Sequence, residues 1–192
     1  MRHRKLVYYV ASTLDGYIAG PEGQYDSFLH EGDHMSALAA ELPETIPVHL
    51  REHFGLVDSA NRRFDTVVMG RGTYEPTLSV GTTSSYPHLR QYVVSRSLTI
   101  DDPTVRVVAE NPVGLVRQLK QEDGTDIWLC GGGHLAGQLL GEIDELIIKR
   151  HPIVAGAGIP LFTGRYQPTR FTPAAIREFD SGVTVLTYTA QA

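Results

Sequence analysis

Ile127-Trp128-Leu129-Cys130-Gly131-Gly132-Gly133-His134-Leu135-Ala136 is the stretch on which the reading of this chain turns. Four apolar residues in a row, preceded by Asp126, predict a strand buried on both faces. Three glycines follow, and residues 134–140 can continue as a short helix. A strand that runs through glycines into a helix leaves bare backbone N–H groups where an anion can approach. Glycine permits that approach because it has no Cβ and accepts φ > 0. A tight turn with no ligand has the same local pattern, so the chemistry must be read from the rest of the chain.

Upstream of this stretch, Asn111 predicts a helix cap, with Pro112 at the first position, Val113, Val116 and Leu119 inward and Gly124 past the end. Farther back, Thr66-Val67-Val68-Met69, Tyr92-Val93-Val94-Ser95 and residues 105–109 read as strands, the first entering Gly70-Arg71-Gly72-Thr73-Tyr74. Leu6-Val7-Tyr8-Tyr9-Val10-Ala11 predicts a buried strand, with Asp15-Gly16 and Gly20-Pro21-Glu22-Gly23 as turns. Residues 48–59 predict a helix with Leu50, Phe54 and Val57 on one face. Residues 24–47 carry no persistent period beyond a helical turn or two over 35–42, which marks either a functional lid or an element that the pattern does not reveal. Downstream, residues 145–153 predict a long strand, 154–158 a turn and 159–162 a short extended piece. Residues 174–179 and 183–189 flank Asp180-Ser181-Gly182 as a hairpin. Strands alternating with helices, then an antiparallel close, predict one α/β domain with a mostly parallel sheet and an antiparallel C-terminal edge.

Length and composition narrow the function. The 192 residues suit a single domain, and the net charge of −5 without a Lys/Arg cluster argues against a nucleic-acid or anionic-membrane partner. No apolar run reaches the length of a membrane span. The start, Met1 to Lys5, is basic, but the apolar run after it is too short and tyrosine-rich for a signal peptide, so the cytoplasm is expected. Cys130 is the one cysteine, which excludes an intrachain disulfide and a thiolate metal cluster.

The ordered set Ser12-Thr13-Leu14-Asp15-Gly16-Tyr17-Ile18-Ala19, Val68-Met69-Gly70-Arg71-Gly72-Thr73-Tyr74-Glu75, Val94-Ser95-Arg96, Gly131-Gly132-Gly133 and Pro152-Ile153-Val154-Ala155-Gly156-Ala157-Gly158-Ile159-Pro160-Leu161-Phe162 resembles the dihydrofolate-reductase-like superfamily. Within it, the chain resembles the reductase domain of the bifunctional riboflavin-biosynthesis deaminase-reductase. The resemblance implies a three-layer α/β fold and NADPH lying across the sheet. The phosphates would sit at Gly70, Arg71, Gly72 and Thr73 and at Gly131, Gly132, Gly133, His134 and Leu135. Arg71 would meet the adenosine phosphates, Ser95 and Arg96 the 2′-phosphate, and Ala11, Ile18 and Ala19 the nicotinamide. It also implies a cis peptide between Gly131 and Gly132, a catalytic role for Asp15 at the end of the first strand, and a homodimer. The acid that anchors the pterin in true dihydrofolate reductases has no matching motif here, and Glu52 and Asp58 are left unassigned.

Two other signals compete. His30-Glu31-Gly32-Asp33-His34 spells the H-E-x-x-H pattern of zinc proteases, but Gly32 and Asp33 are poor helix residues and no third ligand follows, so no metal is expected. His49 and His53, also four apart, read as a solvated face. Gly131 to Ala136 satisfies the dinucleotide-binding fingerprint, yet it comes late in the chain and the next strand ends in Lys149-Arg150-His151 rather than an acid. The expected activity is hydride transfer from NADPH to a C=N or C=O carbon of a small heterocyclic or sugar-derived substrate. It resembles the reduction of 5-amino-6-(5-phosphoribosylamino)uracil; dihydrofolate reduction or NADPH binding without turnover are the alternatives.

Overall fold

The computed structural model describes residues 3–191. Met1, Arg2 and Ala192, the ends of the expected domain, lie outside the described residues. The strands are β1 (Leu6–Ser12), β2 (Tyr17–Ala19), β3 (Phe64–Gly70), β4 (Arg90–Val94), β5 (Val105–Val108), β6 (Asp126–Gly131), β7 (Glu145–Arg150), β8 (Ile159–Pro160), β9 (Phe171–Glu178) and β10 (Thr184–Ala190). The α-helices are α1 (Asp33–Glu41), α2 (Val48–Arg51), α3 (Arg71–Ser79), α4 (Pro112–Gln121) and α5 (Gly133–Gln138). Eight strands form one sheet in the order β5-β4-β3-β6-β1-β7-β10-β9. The first six in that order are parallel, β10 returns antiparallel to β7, and β9 closes antiparallel to β10.

Alternation along the central strands explains why the sheet is covered on both sides. Leu6, Tyr8 and Val10 of β1 join Ile127 and Leu129 of β6 in a core closed by Val116 and Leu119 of α4 and Leu135, Ala136 and Leu139 around α5. Val7 and Tyr9 join Trp128, Val67 and Met69 in a second core closed by Leu38 of α1 and Tyr74 of α3. Two-sided burial makes these strands read as continuous apolar runs rather than as alternating ones. Trp128, the one tryptophan of the chain, donates Nε1–H to the Tyr9 carbonyl at 3.0 Å and packs among Phe64, Tyr9 and Tyr86.

The amino ends of the strands form a polar floor. Glu44 is fully buried and accepts the N–H groups of Arg62, Arg63 and Phe64 at 3.1, 2.8 and 2.8 Å, which pins the turn Pro43–Thr45 to the start of β3. Arg63 pairs with Asp126 at 3.3 Å and Glu145 at 2.9 Å. Arg4, buried, donates to Asp65, to Thr66 Oγ1 at 2.8 Å and to the Leu119 carbonyl at 3.1 Å.

At the opposite ends, β2 and β8 pair as a small ribbon that lies over α5. Its seat is bare backbone. The Thr163 N–H donates to the Gly133 carbonyl at 2.9 Å. A Cβ on Gly133 would stand 2.0 Å from the Pro160 oxygen, and one on Gly137 2.0 Å from the Thr163 oxygen. Tyr8 fastens the same segment by its hydroxyl to the Leu161 carbonyl at 3.0 Å and by an edge contact with Phe162. The Gly131–Gly132 peptide is cis, as the resemblance implies.

The loop expected over 24–47 is partly helical. α1 runs nine residues and docks through His34, which is fully buried. His34 Nε2 bonds the Leu29 carbonyl at 3.2 Å, His151 Nδ1 accepts the Leu29 N–H at 3.2 Å, and the two imidazoles meet edge to face. Asp33 accepts the N–H groups of Asp180 and Ser181 and ties α1 to the C-terminal hairpin. The helix expected over 48–59 shortens to the four residues of α2 followed by turns. Gly55 at φ +65° closes those turns, and Leu50 and Val57 are 39% and 63% exposed, so the apolar stripe has no core to face. β7 ends at Arg150, three residues before the expected end, because the chain turns at His151-Pro152.

Gly133→Ala should lower unfolding stability by about 2–4 kcal/mol in urea titrations, because its methyl collides with a backbone carbonyl. Gly132→Ala, whose methyl would meet Thr73 Oγ1 at 3.4 Å, should cost under about 1 kcal/mol in the same assay. Burial, reinforced by the positive charges of Lys149, His34 and His30, pushes His151 down to about 4. Its imidazole is therefore neutral in the fold and takes up a proton in the unfolded chain below pH about 6.5, so stability falls as pH drops from there to about 4. That fall should be on the order of 3 kcal/mol, and His151→Leu should flatten it while lowering stability at neutral pH.

Candidate active site

A cleft of about 730 Å³ opens over the carboxyl ends of the parallel strands. Gly70, Val94, Ala11, Cys130 and Lys149 reach it from β3, β4, β1, β6 and β7. In open α/β sheets this is the edge where the chain leaves room for a ligand.

One end of the cleft is glycine-built. β3 and β6 are sheet neighbours, and each passes through glycine straight into a helix. A Cβ on Gly70 would stand 3.5 Å from Gly132 N and 3.6 Å from the Gly131 oxygen, so the two junctions lie side by side, backbone to backbone. No side chain caps α3 or α5, which leaves their first-turn N–H groups for other acceptors. Of the residues expected here, Ala11, Ile18, Ala19, Gly70, Arg71, Thr73, Gly132, Gly133, His134 and Leu135 line the cleft. Arg71 is 54% exposed at its rim, pairs with Glu75 at 2.6 Å and donates to Ser97 Oγ at 2.9 Å.

Four expected residues stand elsewhere. Gly131 lies behind the lining, with φ +140° and a Cβ position 3.2 Å from Thr73 Oγ1. Ser95 turns its hydroxyl back to the N–H groups of Ser97 and Leu98 at 3.3 and 3.1 Å, so it shapes the loop that Arg71 grips. Arg96 is exposed on that loop, outside the lining. Asp15 is a staple: it accepts from Thr13 Oγ1 at 2.6 Å and from the N–H groups of Ala155 and Gly156 at 3.1 and 2.7 Å. Those bonds, the Thr13 one foremost, hold its carboxyl down at about 2, and it does not line the cleft.

The other end is aromatic and basic. Tyr25, Phe28, His30, His34, His49, Tyr86, Cys130, Lys149 and His151 line it, and among the described residues no carboxylate lines the cleft. Burial lifts the Cys130 thiol to about 12 and lowers the Lys149 ammonium to about 8. Lys149 and His151 escaped the sequence reading because they stand at the end of an apolar strand, where a basic run reads as a solvated edge. The signal that finds Lys149 is register: Lys149 pairs with Ala11. His30 precedes α1 and His34 lies inside it, so the H-E-x-x-H residues do not share a helical face. Among the described residues no group of three or more His, Cys, Asp or Glu is arranged to hold a metal, and no helix is long and apolar enough to cross a membrane.

Comparison with known proteins agrees with this architecture. The uncharacterized protein YwjB of Bacillus subtilis strain 168 is 32% identical over 186 residues, covering 94% of this chain and 95% of its own length. YyaP of the same organism is 29% identical over 201 residues, covering 98% of this chain and 96% of its own length. A structure described as a riboflavin biosynthesis protein from Shewanella sp. PV-4 superposes with a TM-score of 0.73 at 24% identity, covering 98% of this chain and 99% of that one. The diaminohydroxyphosphoribosylaminopyrimidine deaminase/5-amino-6-(5-phosphoribosylamino)uracil reductase of Thermotoga maritima superposes with a TM-score of 0.62 at 15% identity, with 98% of this chain over 57% of the longer one. The fold is the dihydrofolate-reductase-like fold of those reductase domains. Residues 4–185 match the RibD C-terminal domain, and the chain belongs to that family.

Proposed function

We propose that the protein is an NADPH-dependent reductase that adds hydride to a C=N or C=O carbon of a small heterocyclic or sugar-derived substrate, of the class to which 5-amino-6-(5-phosphoribosylamino)uracil belongs. The observation that carries this reading is the pair of uncapped, glycine-opened helix starts on adjacent strands, facing a cleft that no carboxylate among the described residues lines. Such a surface suits a polyanionic dinucleotide: backbone N–H groups and helix dipoles favour phosphate, and the acid at the rim, Glu75, is paired with Arg71. Gly70, Arg71, Thr73, Gly132, Gly133 and His134 would hold the phosphates, and Ala11, Ile18 and Ala19 the nicotinamide. Bound there, NADPH supplies the hydride.

The chain's own residues do the rest. Phe28, Tyr86 and Leu50 wall the acceptor's side of the cleft with apolar surface. The ribbon of β2 and β8 contributes Ile18, Ala19 and Ile159 to the nicotinamide side. Asp15, held ionised, orders the loop at 153–156 and is not a proton source near neutral pH. Dihydrofolate reduction loses support at the same point, since a protonated pterin would find no carboxylate to anchor it. In this reading the enzyme works in the cytoplasm as a homodimer, the exposed face of β9 with Ile176 being open to a second copy.

NADPH oxidation against a panel of pteridine, pyrimidine and quinone-like compounds tests the activity; binding of NADPH with turnover of none would favour a non-catalytic binder. Calorimetric titration should show tighter binding of NADPH than of NADH. One charge-assisted phosphate contact is worth about 1.5–3 kcal/mol, so Arg71→Ala should weaken NADPH about tenfold to a hundredfold. Arg96→Ala should narrow the gap between the two cofactors, and equal wild-type affinities would overturn the assignment.

A further inference from the structure

We propose that Lys149 is the proton donor of the reduction, its ammonium meeting the acceptor's heteroatom beside the nicotinamide wall. The inference rests on the reductase reading above.

Position is the first argument. Lys149 lies on β7 between Ala11 of β1 and Val185 of β10, its register partners on either side. Paired residues on neighbouring strands project to the same face of a sheet, so Lys149 stands next to the small residue that admits the nicotinamide ring. Its Nζ lies 4.2 Å from the centroid of the Tyr9 ring, which holds the side chain in place by a cation–π contact.

Charge is the second argument. The chain has three lysines. Lys5 pairs with Glu145 at 3.4 Å and Lys120 with Asp144 at 2.6 Å, both away from the cleft. Lys149 lines the cleft, where no carboxylate does. The titratable groups around it come from every neighbouring element: Tyr9 on β1, Cys130 on β6, His151 just past β7, and, beyond His151, His34 on α1 and His30 before it. β10 presents apolar Val185. Burial raises the Tyr9 phenol and the Cys130 thiol, which keeps both neutral, and it keeps His151 unprotonated. Of Lys149, Tyr9, Cys130 and His151, Lys149 is thus the group that carries an acidic proton near neutral pH and gives it up most readily, and its own lowering to about 8 brings it close to the range where an acid both gives and regains one.

The step balances simply. The acceptor carbon receives hydride, the C=X π pair moves onto the heteroatom, and that atom takes a proton from Nζ. A neutral amine remains, and water reprotonates it. The net change is one hydride and one proton added across the double bond.

The test begins with wild-type protein, so it needs no variant to fold. Trinitrobenzenesulfonate, which reacts with neutral amines, is applied from pH 6 to 10 and each lysine is followed by peptide mass spectrometry. At pH 8 Lys149 should label at about half its plateau rate and faster than Lys5 and Lys120. Saturating NADPH should slow that labelling at least about fivefold. With any acceptor that the wild type reduces, Lys149→Met should lose about a hundredfold or more in kcat while its Kd for NADPH, read by fluorescence, stays within about threefold. Lysine labelling no faster than at Lys5, labelling unaffected by NADPH, or a Lys149→Met enzyme of wild-type kcat each overturns the proposal. Failure of the wild type to bind NADPH at all overturns the reductase reading, and the proton-donor role with it. A protein that binds NADPH yet leaves Lys149 unprotected loses only the role.

Discussion

The backbone of α5 lies directly against the backbone of the segment at 160–163, and much of the site depends on that contact. With side chains at 133 and 137 the two would be held apart, since a Cβ at either place falls 2.0 Å from a carbonyl oxygen. With glycine there, the segment settles onto the helix and brings β8 and its partner β2 with it. Gly158 permits the next close pass, its Cβ position lying 2.2 Å from the Ala19 oxygen. Ile18, Ala19 and Ile159 then become one wall of the cleft. The glycines that open the helix toward a ligand and those that let the wall close are thus neighbours on one short element.

The two ends of the sheet are built in opposite ways. At the amino ends, Arg4 pairs with Asp65, Arg63 pairs with Asp126 and Glu145, and Glu44 satisfies the loose N–H groups at the start of β3. Removing one partner of such a buried set strands the other without solvent, which makes this floor resistant to change. At the carboxyl ends the polar groups point outward into the cleft instead, and the basic ones lack a lining carboxylate. Rigidity at one end allows the other to keep polar groups available, because the strands that carry Lys149 and the glycine turns are fixed from below.

Much of this was legible in the sequence, for identifiable reasons. The central strands carry apolar residues on both faces, so Leu6 to Ala11 and Ile127 to Cys130 announced themselves without any periodicity. The Asn111 cap was visible as well, and its side chain accepts the Gly114 N–H at 2.9 Å. The stretch at 48–59 misled because Leu50 has the spacing of a core residue but lines a cleft. Asp15 sits in the motif expected of a functional acid, yet its hydrogen bonds bind it to residues 140 and 141 positions later in the chain, which no local pattern reveals. Lys149 was hidden for the converse reason: its role depends on which strand lies beside β7, and that is a property of topology.

Trp128 gives the molecule an optical property. As the one tryptophan, it makes the intrinsic indole emission of the protein a signal from a single place. That place is the buried strand behind the cleft, where its ring meets Tyr86 edge to face at 5.0 Å, and Tyr86 itself lines the cleft. A dihydronicotinamide absorbs in the band where indole emits, so a ring bound across this sheet would quench Trp128 by energy transfer. The residue that anchors the core to the Tyr9 carbonyl therefore also serves as a label for cleft occupancy, with no dye attached.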